Sequence, residues 1–119
     1  MEIEARTTTN LGVTWTVNTD GIVTYEGTPT SWSSIRYGTV QLNGRTNFYG
    51  KILGDEDNVS FNTLYVYDDN DTRIAEIATN WERTTHDNAY AYVDLTDYPT
   101  AKYMTIALKR ASDNIYMKG

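Results

Sequence analysis

Short runs of alternating apolar and polar residues recur along the chain, rich in Thr, Tyr and Val and separated by Asn, Asp and Gly. A period of two puts one set of side chains on a buried face and the other toward water, as in an antiparallel strand. It predicts strands near Val13–Val17, Ile22–Glu26, Ile35–Leu42, Asn47–Leu53, Thr63–Tyr67, Arg73–Ala78, Tyr90–Leu95 and Lys102–Leu108, with a short last one at Asn114–Met117. The sharpest hairpin is the first pair, because Asn18-Thr19-Asp20-Gly21 tolerate left-handed backbone angles between two β-branched runs. Only Ile74, Ile77, Ala78 and Trp81 carry a competing helical spacing, with Thr72 as a cap; strand is the preferred reading. Pro29 and Pro99 fall between predicted strands, where a missing amide donor costs nothing.

Strands this short and numerous close into a barrel or pack as two layers. The expected architecture is all-β, a jelly-roll-like antiparallel β-sandwich of about eight or nine strands. A chain of 119 residues with no linker or repeat reads as a single domain, 1–119, with residues 1–10 as an extended N-terminal arm.

Composition narrows the chemistry. Zero cysteines exclude a disulfide framework, a thiolate metal site and a thiol nucleophile. Ten Lys and Arg against sixteen Asp and Glu, a net charge of −6, repel phosphate backbones and anionic lipid, so neither nucleic acid nor membrane is an expected partner. The N-terminus lacks the apolar core of a signal peptide, which leaves secretion undecided.

No catalytic constellation emerges. His86 sits in a polar loop, and none of Ser31, Ser33, Ser34, Ser60 or Ser112 lies in a Gly-x-Ser-x-Gly turn. The chain is therefore expected not to be an enzyme. Two acidic clusters, Asp55-Glu56-Asp57-Asn58 and Asp68-Asp69-Asn70-Asp71, make Asp55, Asp57, Asp68, Asp69 and Asp71 weak calcium candidates. The plainer reading is that Asp and Asn occupy turns, and no cofactor is expected.

Strand alternation sorts the tyrosines. Tyr65 and Tyr67 oppose Leu64 and Val66; Tyr90 and Tyr92 oppose Ala91, Val93 and Leu95; Tyr103 opposes Met104, Ile106 and Leu108. If these strands share a sheet, Tyr65, Tyr67, Tyr90, Tyr92 and Tyr103 form an outer platform able to stack on sugar rings. The competing reading is that Tyr is simply a good strand residue. Trp15, alternating with Val13 and Val17, reads as core. Trp32 and Trp81, among polar residues, are ligand candidates or plugs at the ends of a sandwich.

The stretch Thr8-Thr9-Asn10-Leu11-Gly12-Val13-Thr14-Trp15-Thr16-Val17-Asn18-Thr19-Asp20-Gly21-Ile22-Val23-Thr24-Tyr25-Glu26-Gly27-Thr28 resembles an N-terminal signature of jelly-roll, carbohydrate-binding-module-like domains in phage tail, fibre and virion structural proteins. It departs from that signature at Leu11, inserted between Asn10 and Gly12, at Trp15, where Phe is usual, and at Glu26, where Asn is usual. The closing stretch, Asp97 to Ile106 and Asn114 to Met117, is similar but less specific. The resemblance implies fold and virion context and carries over no functional residue.

The expected function is that of a non-catalytic binding module, virion or extracellular, recognising surface glycan through its tyrosine face. The alternative is a purely structural virion module, a capsid decoration or fibre building block. It would use the same face against protein subunits, including copies of itself.

Overall fold

Turn chemistry shapes the first sheet of the computed structural model, which describes residues 1–53, 59–77 and 90–110, with Tyr90 and Ala91 described by backbone alone. After a short β1 (Glu2–Ile3), strands β2 (Arg6–Asn10), β3 (Val13–Val17) and β4 (Val23–Gly27) form an antiparallel three-stranded sheet. Between β2 and β3, Leu11 and Gly12 both take positive φ, 47° and 86°. That pattern belongs to two-residue hairpins whose twist matches their strands. Between β3 and β4 the predicted turn forms: Gly21 has φ 86°, its amide donates to Asn18 O, and Asp20 Oδ1 accepts from Ile22 N. Val13, Trp15 and Val17 are buried, while Thr14 and Thr16 face outward and bond Thr9 and Thr7 across the ladder.

The second sheet has six strands. Its order is β1, β5 (Ser33–Gln41), β11 (Tyr103–Arg110), β8 (Leu64–Tyr67) and β9 (Arg73–Ile77), and β7 (Ser60–Phe61) pairs with the C-terminal part of β11. β7 and β8 behave as one strand interrupted at Asn62 and Thr63, because Asn62 N still donates to Ala107 O. A bulge sets Tyr37 outside the β5–β11 register, and its hydroxyl reaches across to Gly21 O at 2.6 Å. That partial burial, with the Asp20 carboxylate nearby, raises the Tyr37 pKa. β6 (Asn47–Lys51) and β10 (Tyr90–Asp94) form a separate antiparallel pair.

All pairings are antiparallel, and no helix occurs among the described residues. The fold is all-β and sandwich-like: Val13, Trp15 and Val17 share one core with Ile35, Leu64, Val66, Met104, Ile106 and Leu108, joined by Phe61, Val93 and Leu95. Eight predicted strands form close to their expected limits, and the segment with helical spacing is strand from Arg73 to Ile77. The predicted Asn114–Met117 strand lies outside the described residues. Three strands were not expected, β1, β2 and β7, so the described residues hold eleven strands. Residues 1–10 are thus largely paired: β1 docks on β5 and β2 on β3.

Candidate functional site

Alternation on β11 sends Met104, Ile106 and Leu108 into the core and turns Tyr103, Thr105, Ala107 and Lys109 to the opposite face. On β8, Leu64 and Val66 are buried and Tyr65 and Tyr67 point the other way. Register places Tyr103 opposite Tyr67 and Thr105 opposite Tyr65, so the three rings share one sheet face, as expected. Tyr67 and Tyr103 stack with centroids 4.8 Å apart and planes 13° from parallel. The Tyr103 hydroxyl donates to Asp71 Oδ1 at 2.9 Å, and holding that proton against a carboxylate raises the Tyr103 pKa. Arg73 lies over the Tyr65 ring at 4.7 Å and pairs with Glu76 at 3.3 Å.

This face is recessed rather than flat. Thr105 and Lys109 point toward it yet are only 7% and 5% exposed. A cleft of about 370 Å³ lies over it, lined by Tyr65, Tyr67, Thr105, Ser34 and Arg36 of the sheet and by Arg6, Thr8, Thr9 and Asn10 of β2. Glu4 holds Arg36 at 2.8 Å and Arg6 at 3.5 Å, fixing both guanidinium groups at its margin. Aromatic faces beside hydroxyls, an amide and two forked cations are groups that bind polyhydroxylated ligands.

Trp32 stands at the other end of the same face. Lys109 Nζ approaches its ring centroid at 5.1 Å, and burial of that amine lowers its pKa to about 8. The half-buried Trp32 therefore packs against the end of β11.

The single five-tyrosine platform does not form. β10 pairs with β6, not with β8 or β11, so Tyr90 and Tyr92 belong to a different sheet from Tyr65, Tyr67 and Tyr103. Alternation fixes which face a side chain takes but not which sheet its strand joins. Tyr92 instead stands opposite Tyr49, the two rings 67% and 61% exposed. Tyr49 was not among the expected residues, although the same rule applied to β6 selects it, since Phe48 turns toward the core.

The acidic turn is explained by its own bonds. Asp68 Oδ1 accepts from Asn70 N and Thr72 N, Asp71 takes φ 59° and binds Tyr103, and Asp69 lies 3.9 Å from Lys102 Nζ. Among the described residues no three His, Asp or Glu side chains converge as metal ligands. Asp55, Asp57, Trp81 and His86 lie outside the described residues.

These features define an antiparallel, sandwich-like module with a recessed aromatic cleft on one sheet and an exposed tyrosine pair on another. No protein-family model, curated protein or solved structure matches the chain.

Proposed function

We propose that the chain is a non-catalytic, jelly-roll-like module that recognises surface glycan in the cleft bordered by Tyr65 and Tyr67, in a virion or extracellular setting. The observation that carries this reading is the cleft itself: two aromatic rings beside Arg6, Arg36, Thr8, Asn10 and Ser34 in one concavity. Stacking on a sugar ring needs an aromatic face, and orienting it needs donors and acceptors around that face. The virion context rests on the resemblance of residues 8–28 to phage structural modules.

Isothermal titration with bacterial wall and plant polysaccharides, with and without calcium, tests the reading. Binding is expected to weaken at least about tenfold in Tyr65→Ala and Tyr67→Ala, a loss of roughly 1.4 kcal/mol, and to persist in Tyr92→Ala. Equal binding by all four proteins, or none by the native chain across a broad panel, rejects it.

A second reading is favoured by the Tyr49 and Tyr92 pair. With Ile22 and Leu53 also exposed, these residues offer apolar surface suited to a protein subunit. On that reading the module is a structural building block, and Tyr49→Ser/Tyr92→Ser abolishes self-association or partner binding measured by sedimentation.

A further inference from the structure

The cleft over Tyr65 and Tyr67 carries a charge opposite to that of the chain around it. Sixteen Asp and Glu outnumber ten Lys and Arg overall, yet the described residues that line the cleft include Arg6 and Arg36 and neither an Asp nor a Glu. Its other polar groups, on Thr8, Thr9, Asn10, Ser34 and Thr105, are neutral. Exposed charges farther apart than about 8 Å are largely screened at physiological ionic strength. A bound group therefore feels this lining more than the net charge of −6.

The two cations come from different sheets. Alternation puts Arg6, Thr8 and Asn10 on one face of β2, and Ser34 and Arg36 on one face of β5. Asn10 Oδ1 accepts from Ser34 N at 2.9 Å, which ties β2 to β5. Glu4, just before β2, accepts from Arg36 Nε at 3.0 Å and from Arg6 Nη1 at 3.5 Å, and its backbone oxygen accepts from Arg6 Nη1 at 3.1 Å. One carboxylate thus serves two guanidinium groups, and one positive charge stays uncompensated between them. Glu4 takes Arg36 on its Nε side; the Nη nitrogens make no bond to a described residue, and the side chain is 55% exposed. The Arg36 field also reaches Tyr103, where it opposes the rise in pKa that the bond to Asp71 causes.

Charge then decides which sugar suits the cleft. A guanidinium donates hydrogen bonds and accepts none, whereas a carboxylate only accepts and can take two parallel N–H bonds from it. Such charge-assisted bonds are about twice as strong as the neutral bonds a sugar hydroxyl would make. A neutral sugar also leaves the uncompensated cation without a counter-charge. We propose, on the glycan reading of this cleft, that it selects an acidic sugar, one whose ring carries a carboxylate. The carboxylate is held by the Nη nitrogens of Arg36 and by Arg6, and the sugar ring lies against the tyrosines. Because Glu4 already orients both arginines, less side-chain freedom is lost when the ligand arrives. A cleft of about 370 Å³ is near the small end of ligand sites, so a short oligomer is enough to fill it.

Isothermal titration of the full chain with short oligomers of uronic acids, each beside its methyl ester, tests this. Esterification removes the charge and keeps the ring; a neutral and a phosphorylated hexose oligomer complete the panel. At least one acid is expected to bind the native chain about tenfold or more tighter than its ester, with the margin shrinking as salt is raised. Arg36→Gln and Arg6→Gln should each cut that margin at least about fivefold with thermal midpoints close to native. Lys102→Gln, which removes a cation outside the lining, should keep it. Esters or neutral sugars bound as tightly as the acids overturn acidic selection and leave the glycan reading standing, whereas silence toward every glycan removes both. Equal loss of the margin in Lys102→Gln and Arg36→Gln overturns the proposal in favour of unspecific charge. Tighter binding of the phosphorylated sugar than of any uronate overturns it in favour of a phosphate ligand.

Discussion

The Trp15 indole N–H donates to the Ser33 hydroxyl at 2.8 Å, and that hydroxyl donates to the Asn10 carbonyl at 2.6 Å. Trp15 belongs to the three-stranded sheet and Ser33 to the six-stranded one, and both are fully buried. A polar relay therefore crosses the core where the layers meet, with the Asn10 amide oxygen accepting from Ser34 N beside it at 2.9 Å. Ser33→Ala leaves a buried donor and a carbonyl without this partner, and each such orphan costs about 1–3 kcal/mol. We expect Ser33→Ala to lower unfolding free energy in urea by about 2–3 kcal/mol; a loss under about 0.5 kcal/mol would show that the relay does not hold the layers together.

Leu11 is strained for its residue type. With φ 47° it sits in the left-handed region, where an L side chain costs roughly 1–2 kcal/mol relative to glycine and Asn is better tolerated. Its side chain is exposed and contributes nothing to the core. Leu11→Asn should raise stability by about 0.5–1 kcal/mol and sharpen the β2–β3 hairpin. A lower thermal midpoint in that variant would refute the assignment of strain.

Lys109 makes stability depend on pH. Burial holds its folded pKa at about 8, below the ordinary lysine value of 10.5, while the Trp32 ring favours the charged form only partly. Between those values the unfolded chain binds the extra proton, so stability rises with pH. The penalty is present in full below about 8 and is relieved by about 10.5. Allowing for screening, it amounts to about 1–3 kcal/mol. Lys109→Met should exceed the native chain in stability at pH 7, and the gap should narrow by pH 10 in parallel denaturation series. A gap independent of pH would mean that the amine is solvated.

Apart from β7, the strands from β3 onward were legible because runs of β-branched, aromatic or aliphatic residues lie between turn formers, and the Asn18–Gly21 turn carries its own signature. β2, Arg-Thr-Thr-Thr-Asn, lacks an apolar face, and its pairing comes from β3 across a hairpin whose first turn residue is Leu. β1 and β7 are two residues each, too short for any period to register. At the candidate site, alternation grouped Tyr65, Tyr67 and Tyr103 correctly by face. It could not foresee that β10 pairs with β6, since sheet membership is decided by long-range packing rather than local pattern. The recess over Thr105 was equally invisible, because it depends on where β2 lies against the other sheet.

Asp71 joins the turn to the aromatic face, and one substitution separates its two roles. Its φ of 59° suits glycine, whereas its carboxylate accepts from Tyr103 and holds that phenol's pKa above the ordinary value. A tyrosine whose folded pKa is raised contributes stability that is present below the unfolded pKa and lost as pH rises through the folded one. Asp71→Gly keeps the turn and removes the acceptor. The Tyr103 transition, followed by NMR of its ring carbons or by phenolate absorbance against a Tyr103→Phe blank, should then move down toward the ordinary phenol range. If the turn alone explained Asp71, the Tyr103 titration would be the same in both proteins. A downward shift, with glycan affinity falling in the same variant, would tie the Tyr67 and Tyr103 stack to the cleft it borders.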